Sequence, residues 1–304
     1  MGAKKKAVVV LLILSLGLFG ACKGPSGSKA QWETGKLQPE TDKLQAATGK
    51  PQMETGSKDI REANYARQRR FKALLYWDPH AESAHVDFAR QSMEFYRKLN
   101  YGEGFFLETT TNLTDYTLDQ LKEFSVIVAL NAQPRDSLSR TMFEEYMESG
   151  GGWVGYHAAG YNDRRTNWPW YSQFLGCGTF KCNNWPPQPA LLDIEVQDNP
   201  VTKNLPASFV IPASEFYQWA DDLRANKDIE VLASLSPKNY PLGIKDIIYG
   251  GDFPIVWTNT RYRMVYLNMG HGDEEYEDPA QKLLFLNAFR WIVSRDSSGD
   301  PFDR

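Results

Sequence analysis

GGGWVGYHAAG, residues 150–160, combines a buried-strand pattern, a glycine-rich turn and one of the chain's four histidines. Trp153, Val154, Gly155 and Tyr156 read as a short strand bounded by glycines, and Ala158, Ala159 and Gly160 are small enough for a sharp turn after it. His157 is therefore expected at the carboxyl-terminal edge of a strand. In open α/β sheets the crevice beyond such edges is where ligands bind. The glycines at 150–152 precede a strand instead of opening a helix, which is the wrong context for a phosphate cradle. No dinucleotide fingerprint follows the first strand and there is no P-loop motif, so kinase and dehydrogenase chemistry are poor readings.

Outward from this stretch the pattern alternates. Residues 71–77 predict a strand, 83–99 a helix, 105–110 a second strand, 118–124 a short helix, 126–130 an apolar strand ending at Asn131, and 140–147 a helix. This β–α repeat is consistent with a parallel sheet. Further strands are expected at 191–196, 229–234, 255–258 and 264–269, with an amphipathic helix at 279–293, and the second half is the less regular.

At the amino terminus, Lys4–Lys6 form a positive head, 7–19 an apolar run too short for a comfortable membrane span, and Gly20 and Ala21 precede Cys22. This resembles a bacterial lipoprotein signal over 1–22, with Phe19 where that signal usually carries Leu. The resemblance implies lipidation of Cys22, an extracytoplasmic location and, with Lys23 in place of an inner-membrane-retention Asp, the outer membrane. Residues 23–64 are rich in Gly, Ser, Thr, Lys, Gln and Glu and poor in core formers, so they are expected to be a disordered linker. That leaves one domain at 65–296 and a tail at 297–304.

The net charge of -4, without a basic stripe, argues against nucleic acid as the main partner. Nine Trp and fifteen Tyr suit a carbohydrate or another small polar ligand, although most aromatic side chains pack in cores. Cys177 and Cys182 could pair as a disulfide in an oxidising compartment or remain free thiols beside Gly176 and Gly178.

The histidines carry the chemistry. His157 is joined by His271, in NMGHG at 268–272, and by His80 and His85 in YWDPHAESAH at 76–85, which follows the first strand. If His80, His85, His157 and His271 converge, their neutral imidazoles can bind a divalent metal such as zinc, with Asp78 or Glu215 as oxygen ligands or supporting partners. None of these spacings is a compact metal signature. Asp78, Asn131, Tyr161 and Trp168 are candidate ligand-binding residues. Each also has a plain structural reading: a helix cap for Asp78, a turn for Asn131, and aromatic packing for Tyr161 and Trp168.

Taken together, GGGWVGYHAAG, WPWYSQFLGCGTF at 168–180, NPVTKNLP at 199–206, Glu215–Phe216–Tyr217, PIVW at 254–257 and YLNMGHGDE at 266–274 resemble the trehalose-utilisation (ThuA-like) family. The resemblance implies an α/β, flavodoxin-like fold of the class I glutamine amidotransferase type, with a mostly parallel sheet and helices on both faces. It also implies an association with carbohydrate use, including oxidised sugars. In the wider fold group a cysteine nucleophile occupies the glycine-flanked turn; here that place holds His157, so a thiolate glutaminase is not expected. His271 falls where the fold group has its histidine. The expected function is acid–base or metal-assisted chemistry on a carbohydrate or oxidised sugar derivative (hydrolysis, elimination or isomerisation), with His157, His271 and Glu215 as catalytic residues. The alternatives are a non-catalytic sugar-binding module and an interaction scaffold.

Overall fold

The computed structural model describes residues 71–294; the signal, Cys22, the linker and the tail lie outside them. The first half alternates as β1 (Lys72–Trp77), α1 (Ser83–Glu103), β2 (Phe106–Thr110), α2 (Leu118–Leu121), β3 (Val126–Leu130), α3 (Ser137–Glu148) and β4 (Gly152–Tyr156). Local chemistry marks the ends of these helices. Thr117 and Gln120 form a reciprocal capping box on α2, Asp136 caps α3 through the Ser139 N–H, and α1 stops at left-handed Gly104. After β4 come a 3-10 turn (His157–Gly160), α4 (Pro169–Leu175), β5 (Phe180–Asn183), β6 (Gln188–Ile194), β7 (Ser208–Ser214), β8 (Tyr217–Trp219), β9 (Ile229–Leu235), β10 (Pro254–Asn259), β11 (Arg263–Leu267) and α5 (Pro279–Ser294).

Nine strands form one sheet in the order β2-β1-β3-β4-β11-β10-β9-β6-β7, while β5 and β8 pair separately. Strands β2, β1, β3, β4 and β11 are mutually parallel, in the 2-1-3-4-5 order of one doubly wound arrangement. The expectation of a mostly parallel sheet holds for this block only. Strands β10, β9, β6 and β7 add on antiparallel, because short connections such as 260–262 between β10 and β11 can only turn the chain back on itself.

Helices cover both faces of the block, as expected. Residues alternate between two cores: Ala73, Leu75, Val126, Val128, Leu130, Val154 and Tyr156 pack under α1 and α5, whereas Leu74, Ile127, Trp153, Met264 and Tyr266 pack under α3 and α4. Gly155 has a steric reason in this layer. A Cβ there would lie 1.8 Å from the Trp153 indole, so only glycine leaves room for that ring.

Register is what builds the site. Trp77 pairs with Leu130, Leu130 with Tyr156, and Tyr156 with Leu267, so four strands end at one level. The next residues, Asp78, Asn131, His157 and Asn268, therefore emerge along a single edge. Among the described residues no helix is long and apolar enough to cross a membrane.

Candidate metal-binding and catalytic site

His157 leaves β4 with φ +40° and Asn131 leaves β3 with φ +55°, both in the left-handed region that few side chains adopt. Such strain persists only where the surroundings over-determine it. Asn131 supplies part of that constraint: its Oδ1 accepts from the Ala158 N–H at 3.1 Å and its Nδ2 donates to the Gly270 carbonyl at 2.7 Å. The Tyr266 hydroxyl donates to the His157 carbonyl at 2.7 Å. The turn after β4 is thus tied to the ends of β3 and β11, and the His157 side chain is fully buried.

Three imidazoles meet there. His85 from the first turn of α1, His157, and His271 from the loop after β11 have ring centroids 5.1, 5.1 and 5.5 Å apart. Glu215, between β7 and β8, joins them with Oε2 at 3.4 Å from His157 Nε2 and 3.8 Å from His271 Nε2. One ligand atom from each of the four lies within 4.8 Å of all the others. Around tetrahedral zinc, ligand atoms sit roughly 3.4 Å apart given metal–nitrogen bonds of about 2.0–2.1 Å, so the widest separations in this set would have to close by up to about 1.4 Å around an ion.

The electrostatics favour the neutral form of His85 and of His157. Burial, and then the charges of His157 and His271, push His85 down to about 2. Burial first and His271 second hold His157 well below the ordinary histidine range. His85 Nε2, both His157 ring nitrogens and His271 Nε2 are buried without a hydrogen-bond partner. Buried polar atoms are normally matched, and three imidazoles that each bring an unmatched buried nitrogen to the cluster form a donor set that suits a metal ion. Burial also pushes the Glu215 carboxyl up, against the His271 charge and the Asn183 amide that donates to its other oxygen.

A family model described as trehalose utilisation, ThuA, matches residues 72–292. The chain belongs to the ThuA family. It is similar to a ThuA-like protein of Bacteroides uniformis, at 62% identity over 79% of this chain and 98% of that one, with a TM-score of 0.76. A ThuA-like protein from Parabacteroides merdae shares the fold at 20% identity, over 75% of this chain and 91% of that one, with a TM-score of 0.53. None of the curated proteins matches it.

Within this ThuA fold the expected site residues separate. His85, His157, His271 and Glu215 come together. His80 does not: it is exposed in the turn before α1, with its backbone N–H donating to Asp78 Oδ1 at 2.8 Å. Asp78 also turns away, into a cleft shared with Tyr76, Asn112 and Gln133, where its carboxylate meets Arg135 at 2.9 Å. Trp168 is buried, stacked on Tyr171 with centroids 4.4 Å apart and donating from its indole to Glu144, so it is core and no sugar platform. Tyr161 lies one ring removed, 5.9 Å from Tyr217, which itself lies against His157 at 4.1 Å. Asn131 is taken up by backbone bonds and positions the turn. Cys177 and Cys182 are free thiols, and burial pushes Cys177 far up, which makes it inert.

Several supporting residues are not singled out by the sequence. Glu275 is buried, and its Oε1 accepts from the N–H groups of both Gly270 and His271 at 2.9 Å, while Gln281 donates to Oε2 at 2.6 Å. It fixes the loop carrying His271. Asn268 pairs with the main chain of Tyr217 in both directions, at 3.0 and 2.7 Å. Glu82, exposed, reaches His271 Nε2 at 3.5 Å and marks the solvent side of the cluster. The acidic run at 273–278 is visible in the sequence, but which of its members turns inward is decided by the fold.

Proposed function

We propose that this ThuA-family chain is a metal-assisted acid–base enzyme acting on a carbohydrate or oxidised sugar derivative. The carrying observation is the convergence of His85, His157 and His271, with unmatched buried nitrogens, beside the Glu215 carboxylate. The three imidazoles would hold a divalent ion such as zinc, which when bound supplies Lewis-acid polarisation of a sugar oxygen. Glu215 takes the proton-moving role: one oxygen is tethered by Asn183, the other faces the histidines, and burial raises its pKa above the ordinary carboxylate range, which makes it a better proton acceptor. Tyr217 packs on His157 and keeps water from that ring. The family description, trehalose utilisation, supports a sugar as substrate class.

The reading includes a class I glutamine amidotransferase-like relationship of the fold, supported by the 2-1-3-4-5 parallel block and by the strained turn that places His157. It also includes a lipid anchor at Cys22 in the outer membrane, supported by the Lys4–Lys6 head, the short apolar run and the small residues before Cys22.

The test is elemental analysis of the full chain, purified without chelator or His-tag, beside the His157→Ala/His271→Ala double variant. About one metal per chain in the wild type and none in the variant is the expected result, and it justifies screening keto-sugars and glycosides. A wild type that takes up neither zinc nor manganese overturns the metal-assisted reading and leaves saccharide binding to be measured by calorimetry.

A further inference from the structure

Tyr217 has a second neighbour besides His157. With Trp219, Phe253 and Trp257 it lines a separate cavity of about 230 Å³. Around these rings stand Lys181 and three aspartates, Asp221, Asp222 and Asp252. The polar groups differ in how far they are committed. Asp252 is bound to Arg224 at 2.6 Å, and Asp222 accepts the Arg224 backbone N–H at 2.9 Å. Asp221 has no hydrogen-bond or ion-pair partner among the described residues. Its carboxylate lies over Gly178, where a Cβ would come within 2.2 Å of Oδ2. Trp219 is 7% exposed and its Nε1 has no partner. An indole N–H can only donate, and leaving such a donor buried and unmatched costs about 1–3 kcal/mol.

The chemistry of the occupant follows from this set. An anion would meet three carboxylates against one lysine. A metal ion is a poor fit, because the only group of side chains among the described residues with metal-binding geometry is the histidine cluster. A pyranose ring is complementary on both counts: its C–H face packs on aromatic rings, and its hydroxyl rim both donates and accepts. We propose that this cavity is a binding subsite for a neutral pyranose ring, with Asp221 accepting a hydroxyl proton and a tilt of the Trp219 indole on binding that uncovers Nε1 to donate to a ring hydroxyl oxygen. Tyr217 is a wall shared by the subsite and the histidine cluster. The subsite does not depend on the metal reading above and has in common with it only the carbohydrate class of ligand.

Calorimetric titration of the full chain with methyl α-glucoside and with glucuronate tests it, using Trp219→Phe, Asp221→Asn and the His157→Ala/His271→Ala variant. Saturable glucoside binding is expected, at least tenfold tighter than glucuronate. Each cavity variant should weaken it about tenfold, the loss of one hydrogen bond of about 1.4 kcal/mol, while the histidine variant binds as the wild type does. Asp221 is exposed, so its variant separates lost binding from lost folding. No saturable binding, equal binding of glucuronate, undiminished binding by both cavity variants, or loss confined to the histidine variant would each overturn the subsite. Failure of metal binding with glucoside binding intact removes only the metal-assisted reading.

Discussion

The parallel block and the antiparallel strands handle their polar groups in opposite ways. At the block's carboxyl edge His157, His271 and Asn131 are 0–5% exposed, and both His157 ring nitrogens and His271 Nε2 are buried without hydrogen-bond partners. In the antiparallel part Arg224 makes ion pairs with Glu195 and Asp252 at 2.7 and 2.6 Å, and all three side chains stay 30–48% exposed. The second arrangement is already satisfied and needs nothing further. The first is a set of desolvated donor atoms that the fold holds in place at a loss of stability, which supports the proposed site over a scaffold.

The largest effect expected from this contrast is on turnover. Glu215→Gln keeps the shape of the side chain and its contact with Asn183 but removes the proton acceptor. Turnover of a saccharide substrate should fall by about 10²–10⁴-fold, the range typical of a lost acid–base group, with metal content unchanged. Loss of metal together with activity would assign Glu215 to coordination instead.

Next is the scaffold of the turn. Asn131→Ala strands the Ala158 N–H and the Gly270 carbonyl and puts a β-carbon residue without a polar side chain at φ +55°. Unfolding free energy should drop by about 2–4 kcal/mol, measured by urea denaturation. Asn131→Gly relieves the backbone strain but not the lost bonds, so it should fall between the two. A glycine variant as stable as the wild type would show that relief of the backbone strain outweighs the hydrogen bonds at this edge.

The antiparallel part should answer to acid. The hydrogen bonds from Arg224 and Ser234 hold the Glu195 carboxyl below its ordinary range, against the opposing effect of burial. A carboxylate whose folded pKa is depressed stabilises the protein above its unfolded pKa, about 4.3, and that stabilisation is lost as pH falls through the folded value. Glu195→Gln should therefore be less stable than the wild type by about 1 kcal/mol at neutral pH, a small value because the pair is partly solvated. The gap should close below about pH 4, and a gap independent of pH would rule out the ionic contribution.

How much of this was legible depended on the kind of strand. VIVAL at 126–130 is buried on both faces and reads as an unbroken apolar run, so the β–α alternation of the block could be read directly. Strands β5, β7 and β8 could not: they have three to seven residues, β7 contains Pro212, and their burial is mixed. Strand β5 pairs with distant β8 and β7 with β6, contacts that no local pattern encodes. The position of His157 was legible because a strand and a small-residue turn enclose it. Glu215 and His271 stood out through family resemblance, and Glu275 not at all, being one of several acids in a row.

The smallest predicted effect is the sharpest test of the boundary between the two clefts. His80 and His85 are five residues apart, and nothing in composition distinguishes them. The start of α1 does: His80 precedes it and stays in solvent, while His85 lies in its first turn and is carried under the helix toward His157 and His271. His80→Ala should change stability by no more than about 0.5 kcal/mol, as for other exposed positions, and leave metal content at the wild-type level. His85→Ala should lower metal content and leave two imidazoles facing Glu215. If His80→Ala lost metal equally, the 76–85 loop would have to refold on binding, bringing His80 off the surface and Asp78 away from Arg135. The division into a histidine cluster and a separate Asp78–Arg135 cleft would then describe only one state of the edge.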